Sequence, residues 1–133
     1  MNTVATKLNA YLESCADKSF SLGEFDCCLF VADWIKCIHG FDPAPERGSY
    51  STFKQGLNVV KSDFKGVFKA RLNTVEIEID YVKRGDIALC RFNDELVGGI
   101  VGLGVVHCVS TVGLTTLPFE AIECAFSLEA IHE

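Results

Sequence analysis

The stretch Gly23-Glu24-Phe25-Asp26-Cys27-Cys28-Leu29-Phe30 decides the fold of this chain. It leads into an apolar run, 29–38, whose only charged residues are Asp33 and Lys36. A helix this apolar must be packed on most of its sides. Asp26 suits the cap of such a helix, because its carboxylate can accept the unpaired N–H groups of the first turn. The sequence therefore predicts a buried helix that begins near Cys27.

Cys27 lies where a helix N-terminus would stabilise a thiolate and lower the pKa of the thiol. This makes Cys27 a candidate nucleophile. A second interpretation is that Cys27 and Cys28 are both core thiols, since free cysteine is among the most buried residue types. The local sequence leaves both interpretations open.

The composition indicates one globular domain over residues 1–133. Hydrophobic residues make up 49% of the chain and charged residues 23%, which argues against disorder. The net charge is −6, and the twelve basic residues are scattered, so we predict no nucleic-acid-binding face. The mean hydropathy of +0.25 is high for so small a chain and suggests surface that a partner covers.

Seven cysteines occur, with no Cys-x-x-Cys pair among them, and the three histidines are isolated in the sequence. The first residues, Met1 to Lys7, are polar, and no stretch of 18 apolar residues is present. We therefore expect a protein made in the cytoplasm, with reduced thiols and with neither a metal nor another cofactor.

The first half of the chain reads as helical. Apolar residues recur at helical spacing from Val4 to Cys15, and Thr3 can cap that helix. Gly40 should end the Cys27 helix. Residues Thr52 to Leu72 keep a three-to-four residue apolar period and predict two short helices.

The second half reads as strands. Residues Thr74 to Asp80 alternate between apolar and polar and predict a half-exposed edge segment. Asn93-Asp94 signals a hairpin. The further predicted strands are Ile87–Phe92, Ile100–Leu103, Val105–Thr111, Leu114–Leu117 and Cys124–Leu128. Helices followed by strands indicate an α+β domain, with N-terminal helices packed on an antiparallel sheet of about four to six strands.

Several short motifs resemble the NlpC/P60 superfamily of papain-like cysteine hydrolases. They are Asp26-Cys27 before the buried helix, Gly85-Asp86 before a strand, and Gly99-Ile100-Val101 in the next one. Together with Gly23, the turn at Gly40-Phe41-Asp42-Pro43, and Arg47-Gly48-Ser49-Tyr50, they are similar to a family of small tail proteins of tailed phages and prophages. The resemblance implies a papain-like, NlpC/P60-type fold.

The same resemblance places the base histidine of these hydrolases at Val97, which can neither accept nor donate a proton. His107 is the nearby substitute, and a Cys27–His107 pair would need a shift in strand register. A lone histidine among valines is otherwise a core or edge residue. The departure at Val97 predicts that the chain has lost its hydrolase activity.

The resemblance then implies a structural or assembly protein of the phage tail tip, made in the host cytoplasm and carried in the virion tail, with other tail proteins as partners. Candidate contact residues lie in two turn-rich segments and are Phe41, Arg47, Tyr50, Leu114, Leu117 and Phe119. The alternative is an active cysteine peptidase or amidase that cleaves peptidoglycan stem peptides with Cys27 and His107. A phage-encoded binding module or inhibitor directed at the host is a third possibility.

Overall fold

The computed structural model describes residues 3–21, 24–43 and 64–132, which form an α+β arrangement. Three helices in this part of the chain are α1 (Val4–Cys15), α2 (Cys27–His39) and α3 (Phe64–Leu72). Six strands follow: β1 (Glu76–Ile77), β2 (Ile87–Phe92), β3 (Glu95–Val101), β4 (Val105–Ser110), β5 (Gly113–Pro118) and β6 (Ile122–Phe126). The α+β class and the strand-rich second half are confirmed.

The strands form one antiparallel sheet in the order β1-β6-β2-β3-β4-β5, which leaves β1 and β5 at its two edges. The predicted hairpin joins β2 to β3 through Asn93 and Asp94. Both residues have positive φ, +51° and +66°, as a tight two-residue hairpin turn requires. Strand β6 then returns to lie between β1 and β2.

Helix α1 begins, and helix α2 ends, at the capping residue that the sequence predicts. The Thr3 hydroxyl accepts the Thr6 N–H at the start of α1. Gly40 ends α2 with φ +84°, a conformation that glycine adopts without steric cost, and its N–H donates to the Lys36 carbonyl.

Helix α2 packs against β3 and β4 and fills a core that we call the helix-side cluster. The side chains of Phe30 and Trp34 are fully buried in it, and Tyr11 of α1 stacks on Phe30. The Trp34 indole N–H donates to the Gly85 carbonyl at 2.8 Å, which fixes α2 to the start of β2. The other face of the sheet carries a far-side cluster, composed of Ala88, Cys90, Val101, Val106, Cys108, Leu117 and Ile122.

The Gly85-Asp86 pair holds the sheet and the C-terminal segment together. One carboxylate oxygen of Asp86 accepts the Lys83 N–H at 2.8 Å, and the other accepts the Leu128 N–H at 2.9 Å. The Asp86 backbone carbonyl accepts the Val101 N–H from β3. This motif therefore has a structural role, whatever chemistry the chain performs.

Several predicted strands have other bounds in the structure, and the strand predicted over Cys124–Leu128 lies two residues earlier, at Ile122–Phe126. The predicted strand Ile100–Leu103 begins earlier, at Glu95, because the Asn93-Asp94 turn is short and β3 pairs with β2 from its first residue. In place of the predicted edge segment Thr74–Asp80, the structure has the short strand β1 followed by a 3₁₀ turn, Ile79–Tyr81. Helix α3 matches the end of the predicted Thr52–Leu72 region, whose earlier part lies outside the described residues. Within the described ranges, no helix is long and apolar enough to cross a membrane.

Candidate functional site

Asp26 caps α2 as predicted. One carboxylate oxygen accepts the N–H groups of Cys28 and Leu29, at 3.1 Å and 2.9 Å. The Asp26 side chain is itself buried. This arrangement satisfies two of the unpaired donors of the first turn and fixes the position of Cys27, which is the first residue of the helix.

The Cys27 thiol lies against β3 and is half-buried. The thiol of its neighbour Cys28 and the Gly98 N–H lie beside its sulfur. These two donors, with the N–H of Cys27 itself, lower the pKa of Cys27, although burial and the Asp26 charge act in the opposite direction. The thiol therefore has the electrostatic surroundings of a nucleophile.

The Gly98 N–H reaches this sulfur because β3 and β4 separate there. The Val101 N–H points to β2, where it bonds Asp86, and the Gly102 N–H points to β4, where it bonds Val105. Since backbone groups alternate along a strand, the Gly98 N–H also points towards β4. The ladder between the two strands begins only at Gly99 and Cys108. The Gly98 N–H beside Cys27 thus lies outside this ladder.

Cys108 is a further thiol near the site. It lies opposite Gly99, and its pKa is raised to about 11 by burial and by the proximity of Cys27. Sequence reasoning missed Cys28, Gly98 and Cys108 as neighbours of the Cys27 sulfur. No local motif marks them, because the contact depends on where β3 and β4 part.

The structure does not bring His107 to Cys27 as a hydrogen-bonded pair. His107 lies opposite Ile100, and its Nε2 is 2.5 Å from the position that a Cβ on Gly102 would take. The ring is therefore directed away from Gly98 along the sheet; Gly98 and Gly102 are about 13 Å apart along an extended chain. Burial lowers the pKa of His107, and among the described residues no partner hydrogen-bonds its ring.

The other two histidines are also engaged elsewhere. The His39 ring pairs with the Leu128 carbonyl at 2.8 Å, at the opposite end of α2, about 18 Å from Cys27 along the helix axis. The His132 ring pairs with the Ala130 carbonyl near the C-terminal end. Val97 is the residue at which the resemblance places the base histidine. It packs against the far-side cluster and directly precedes Gly98 in β3.

The predicted partner-binding residues are less exposed than expected. Leu117 is buried in the far-side cluster, which makes it a core residue and not a contact residue. Phe41 and Leu114 are half-buried against the helix-side cluster, and Phe119 is half-buried against the far-side cluster. Arg47 and Tyr50 lie outside the described residues.

In the described part of the chain, no group of three or more His, Cys, Asp or Glu residues is arranged to hold a metal ion. The thiol of Cys90 is buried in the far-side cluster. Its pKa is raised to about 12, chiefly by burial and then by Cys108 and Cys124.

Comparison with known families places the chain in one of them. Residues 1–128 match the family described as Domain of unknown function (DUF6950), so the chain belongs to this family. No curated protein matches the chain.

Proposed function

We propose that this member of the DUF6950 family is a structural or assembly protein of a phage tail, built on an NlpC/P60-like fold that has lost its catalytic base. The observation that carries the proposal is the surroundings of Cys27. The Cys28 thiol and the Gly98 N–H lower the pKa of Cys27, while the His107 ring is directed towards Gly102. The phage-tail role itself rests on the resemblance of the Asp26-Cys27 and Gly85-Asp86 motifs and their neighbours.

Loss of the base matters because a thiol hydrolase needs two proton transfers. A base completes the activation of the nucleophile, and its conjugate acid then protonates the leaving amine. Such help is worth typically about 10²–10⁴-fold in rate. A lowered pKa supplies thiolate at Cys27, but it leaves the amine without a proton donor. Valine at position 97 cannot fill that role.

The motif residues keep structural reasons to be present without catalysis. Asp26 caps the most buried helix, Cys27 fills the gap between β3 and β4, and Asp86 joins three segments of backbone. A fold kept for association needs these contacts as much as an enzyme does.

The experiment is gene deletion and complementation in the phage or prophage that encodes the chain. Deletion should abolish intact tails in electron micrographs and lower the titre of infectious particles. Wild-type protein and the Cys27→Ala variant should both restore them, as should the matched control Cys37→Ala at an exposed thiol. Normal tails in the deletion strain would contradict the proposal. Failure of a folded Cys27→Ala protein alone would favour chemistry at Cys27.

A second candidate function, the cysteine peptidase or amidase, is favoured by the lowered pKa of Cys27. In that reaction the thiolate would attack a stem-peptide carbonyl, the amine would leave with a proton, and water would hydrolyse the thioester. His107 would have to move from its place beside Gly102 to serve as the base. This requirement makes the hydrolase the weaker of the two proposals.

A further inference from the structure

The two edges of the sheet differ in length and charge. Strand β1 has two residues, and the acidic residues Glu76, Glu78 and Asp80 lie in or directly after it. Strand β5 has six residues, Gly113–Pro118, and none of them is charged. Soluble proteins usually protect sheet edges by short strands, charges or proline, because an edge is a template for pairing with another strand. By these criteria the β1 edge is protected against pairing with another strand, whereas the β5 edge carries no such protection before Pro118.

The backbone groups on the outer edge of β5 follow from the register of β4. Gly102 donates its N–H to the Val105 carbonyl, so Val105 and every second residue after it face β3. The intervening residues of β4 face β5, where they bond Gly113, Thr115 and Leu117. The N–H and C=O groups of Leu114 and Thr116 therefore point outwards. Within the described ranges, nothing hydrogen-bonds them.

We propose that this edge pairs with the same edge of a second copy of the chain. The two β5 strands would run antiparallel about a two-fold axis through Thr115. Leu114 of each subunit would then lie opposite Thr116 of the partner subunit, and the two pairs would exchange four N–H···O=C bonds. The result is one continuous sheet across both subunits.

The side chains of β5 fit this register. The axis brings the two Thr115 side chains opposite each other, and cross-strand threonine pairs are favourable. Val112, in the turn before β5 and 87% exposed, comes opposite the exposed Pro118 of the partner subunit. An exposed apolar residue at one end of the strand thus meets one at the other end. No like charges are brought together, although the chain has a net charge of −6.

The available edge is bounded at its start by the connection after α1. There the Lys18 carbonyl lies 3.4 Å from the position that a Cβ on Gly113 would take. The outward groups of Leu114 and Thr116 lie beyond this point. Pairing through β5 does not depend on the tail role proposed above.

The first test is the mass of the wild-type protein in sedimentation equilibrium. The chain has a mass of 14.6 kDa, and the dimer should show twice this value at high protein concentration. A monomer at every concentration that stays in solution would overturn the proposal, and so would a larger assembly without a dimer.

Charge reversal on the axis locates the interface. T115K and T115E should each lose the dimer, because each would place two like charges opposite each other, whereas the control T115S should keep it. An equimolar mixture of T115K and T115E should form a heterodimer, which native mass spectrometry resolves. T116P provides a second variant: it removes an outward N–H that β4 does not use, so the folded monomer is retained and the dimer is lost. A dimer that persists in both T115K and T116P would overturn the β5 interface.

Discussion

At the scale of single residues, Cys27 departs from the other thiols of the chain. Burial raises the pKa of Cys90 and Cys108 above that of an ordinary cysteine. The pKa of Cys27 is lowered although burial acts on it as well, because the Cys28 thiol and the Gly98 N–H favour its thiolate. Hydrogen bonds to the charged form outweigh desolvation at this one position.

We expect Cys27 to be alkylated by iodoacetamide at a pH where Cys37 reacts slowly. A lowered pKa means that the thiolate persists to lower pH, so the midpoint of the pH–rate profile for Cys27 should lie below that of Cys37. Cys37 is exposed, and its pKa is raised by partial burial and by Asp33, which makes it a control within the same chain. Mass spectrometry of the digested protein reads both sites at once. A Cys27 midpoint at or above that of Cys37 would contradict the hydrogen-bond pattern.

The variant Cys28→Ala should move the Cys27 midpoint upwards, because it removes the largest influence that lowers the pKa of Cys27. Cys28→Ser keeps a donor at this position and should retain part of the lowering. The same alkylation profile measures both variants. Identical midpoints for wild type and Cys28→Ala would show that the Gly98 N–H and the helix terminus suffice.

Removal of the cap gives a prediction for stability. Asp26→Ala should cost about 1 kcal/mol in the free energy of unfolding, because the N–H groups of Cys28 and Leu29 lose their acceptor. Asp26→Asn retains an acceptor oxygen and should lose less. Urea denaturation followed by circular dichroism measures both. A loss within about 0.5 kcal/mol for Asp26→Ala, the range of neutral surface substitutions, would contradict the capping role.

Only those features of the Cys27 site that depend on neighbouring residues in the sequence were predictable. Asp26 and Cys27 followed from the sequence, because capping and a helix start are properties of neighbouring residues. The contact of Cys27 with Gly98 was not predictable, since it depends on the point where β3 and β4 separate. The direction of the His107 ring likewise depends on the room that Gly102 leaves beside it.

At the scale of elements, α2 is the part of the fold that the sequence predicts most fully. Its cap, its C-terminal glycine and its apolar faces all indicate the same buried helix. As expected for a helix packed on most of its sides, its side chains Leu29, Phe30, Val31, Trp34 and Ile35 are buried, and Ile38 near the end of the helix is half-buried. A helix whose local signals and packing agree needs little long-range information to be predicted.

Phe30→Ala should cost roughly 3–5 kcal/mol in the free energy of unfolding, since Phe30 is fully buried and contacts the rings of Tyr11 and Phe25. The matched control is Leu103→Ala in the β3–β4 turn, where the side chain is 80% exposed and the change should stay within about 0.5 kcal/mol. Urea denaturation compares the two variants directly. Equal losses for both would mean that Phe30 does not anchor the core.

The start of strand β3 could not be predicted from the sequence of that strand alone. Its Gly98-Gly99 pair weakens the strand signal, so the sequence predicted a start at Ile100. Pairing with β2 on one side overrides this weak propensity over six of the seven residues of the strand. Gly99 leaves room for β4 beside it, because Val106 would lie 2.6 Å from a Cβ on Gly99.

At the scale of the whole molecule, the α+β class was predictable and the strand order was not. The succession of helices and strands indicates the class, whereas the return of β6 between β1 and β2 depends on contacts between residues far apart in the sequence. These contacts include the Asp86 carboxylate with Leu128 and the Thr74 hydroxyl with the Ser127 carbonyl. They form only when distant segments of the chain come together, so no local sequence pattern predicts them.

We propose that the chain works by association and does not cleave peptidoglycan, because the pKa of Cys27 is lowered while none of the three histidines, all of them among the described residues, is hydrogen-bonded to its thiol. The most direct test is to incubate the purified protein with peptidoglycan stem-peptide fragments and to analyse the products by mass spectrometry. Cys27→Ala and His107→Ala should be run beside it, with a peptidoglycan hydrolase as the positive control. The account predicts intact fragments with the wild-type protein, as with both variants. Cleavage by the wild-type protein that disappears in Cys27→Ala would contradict it.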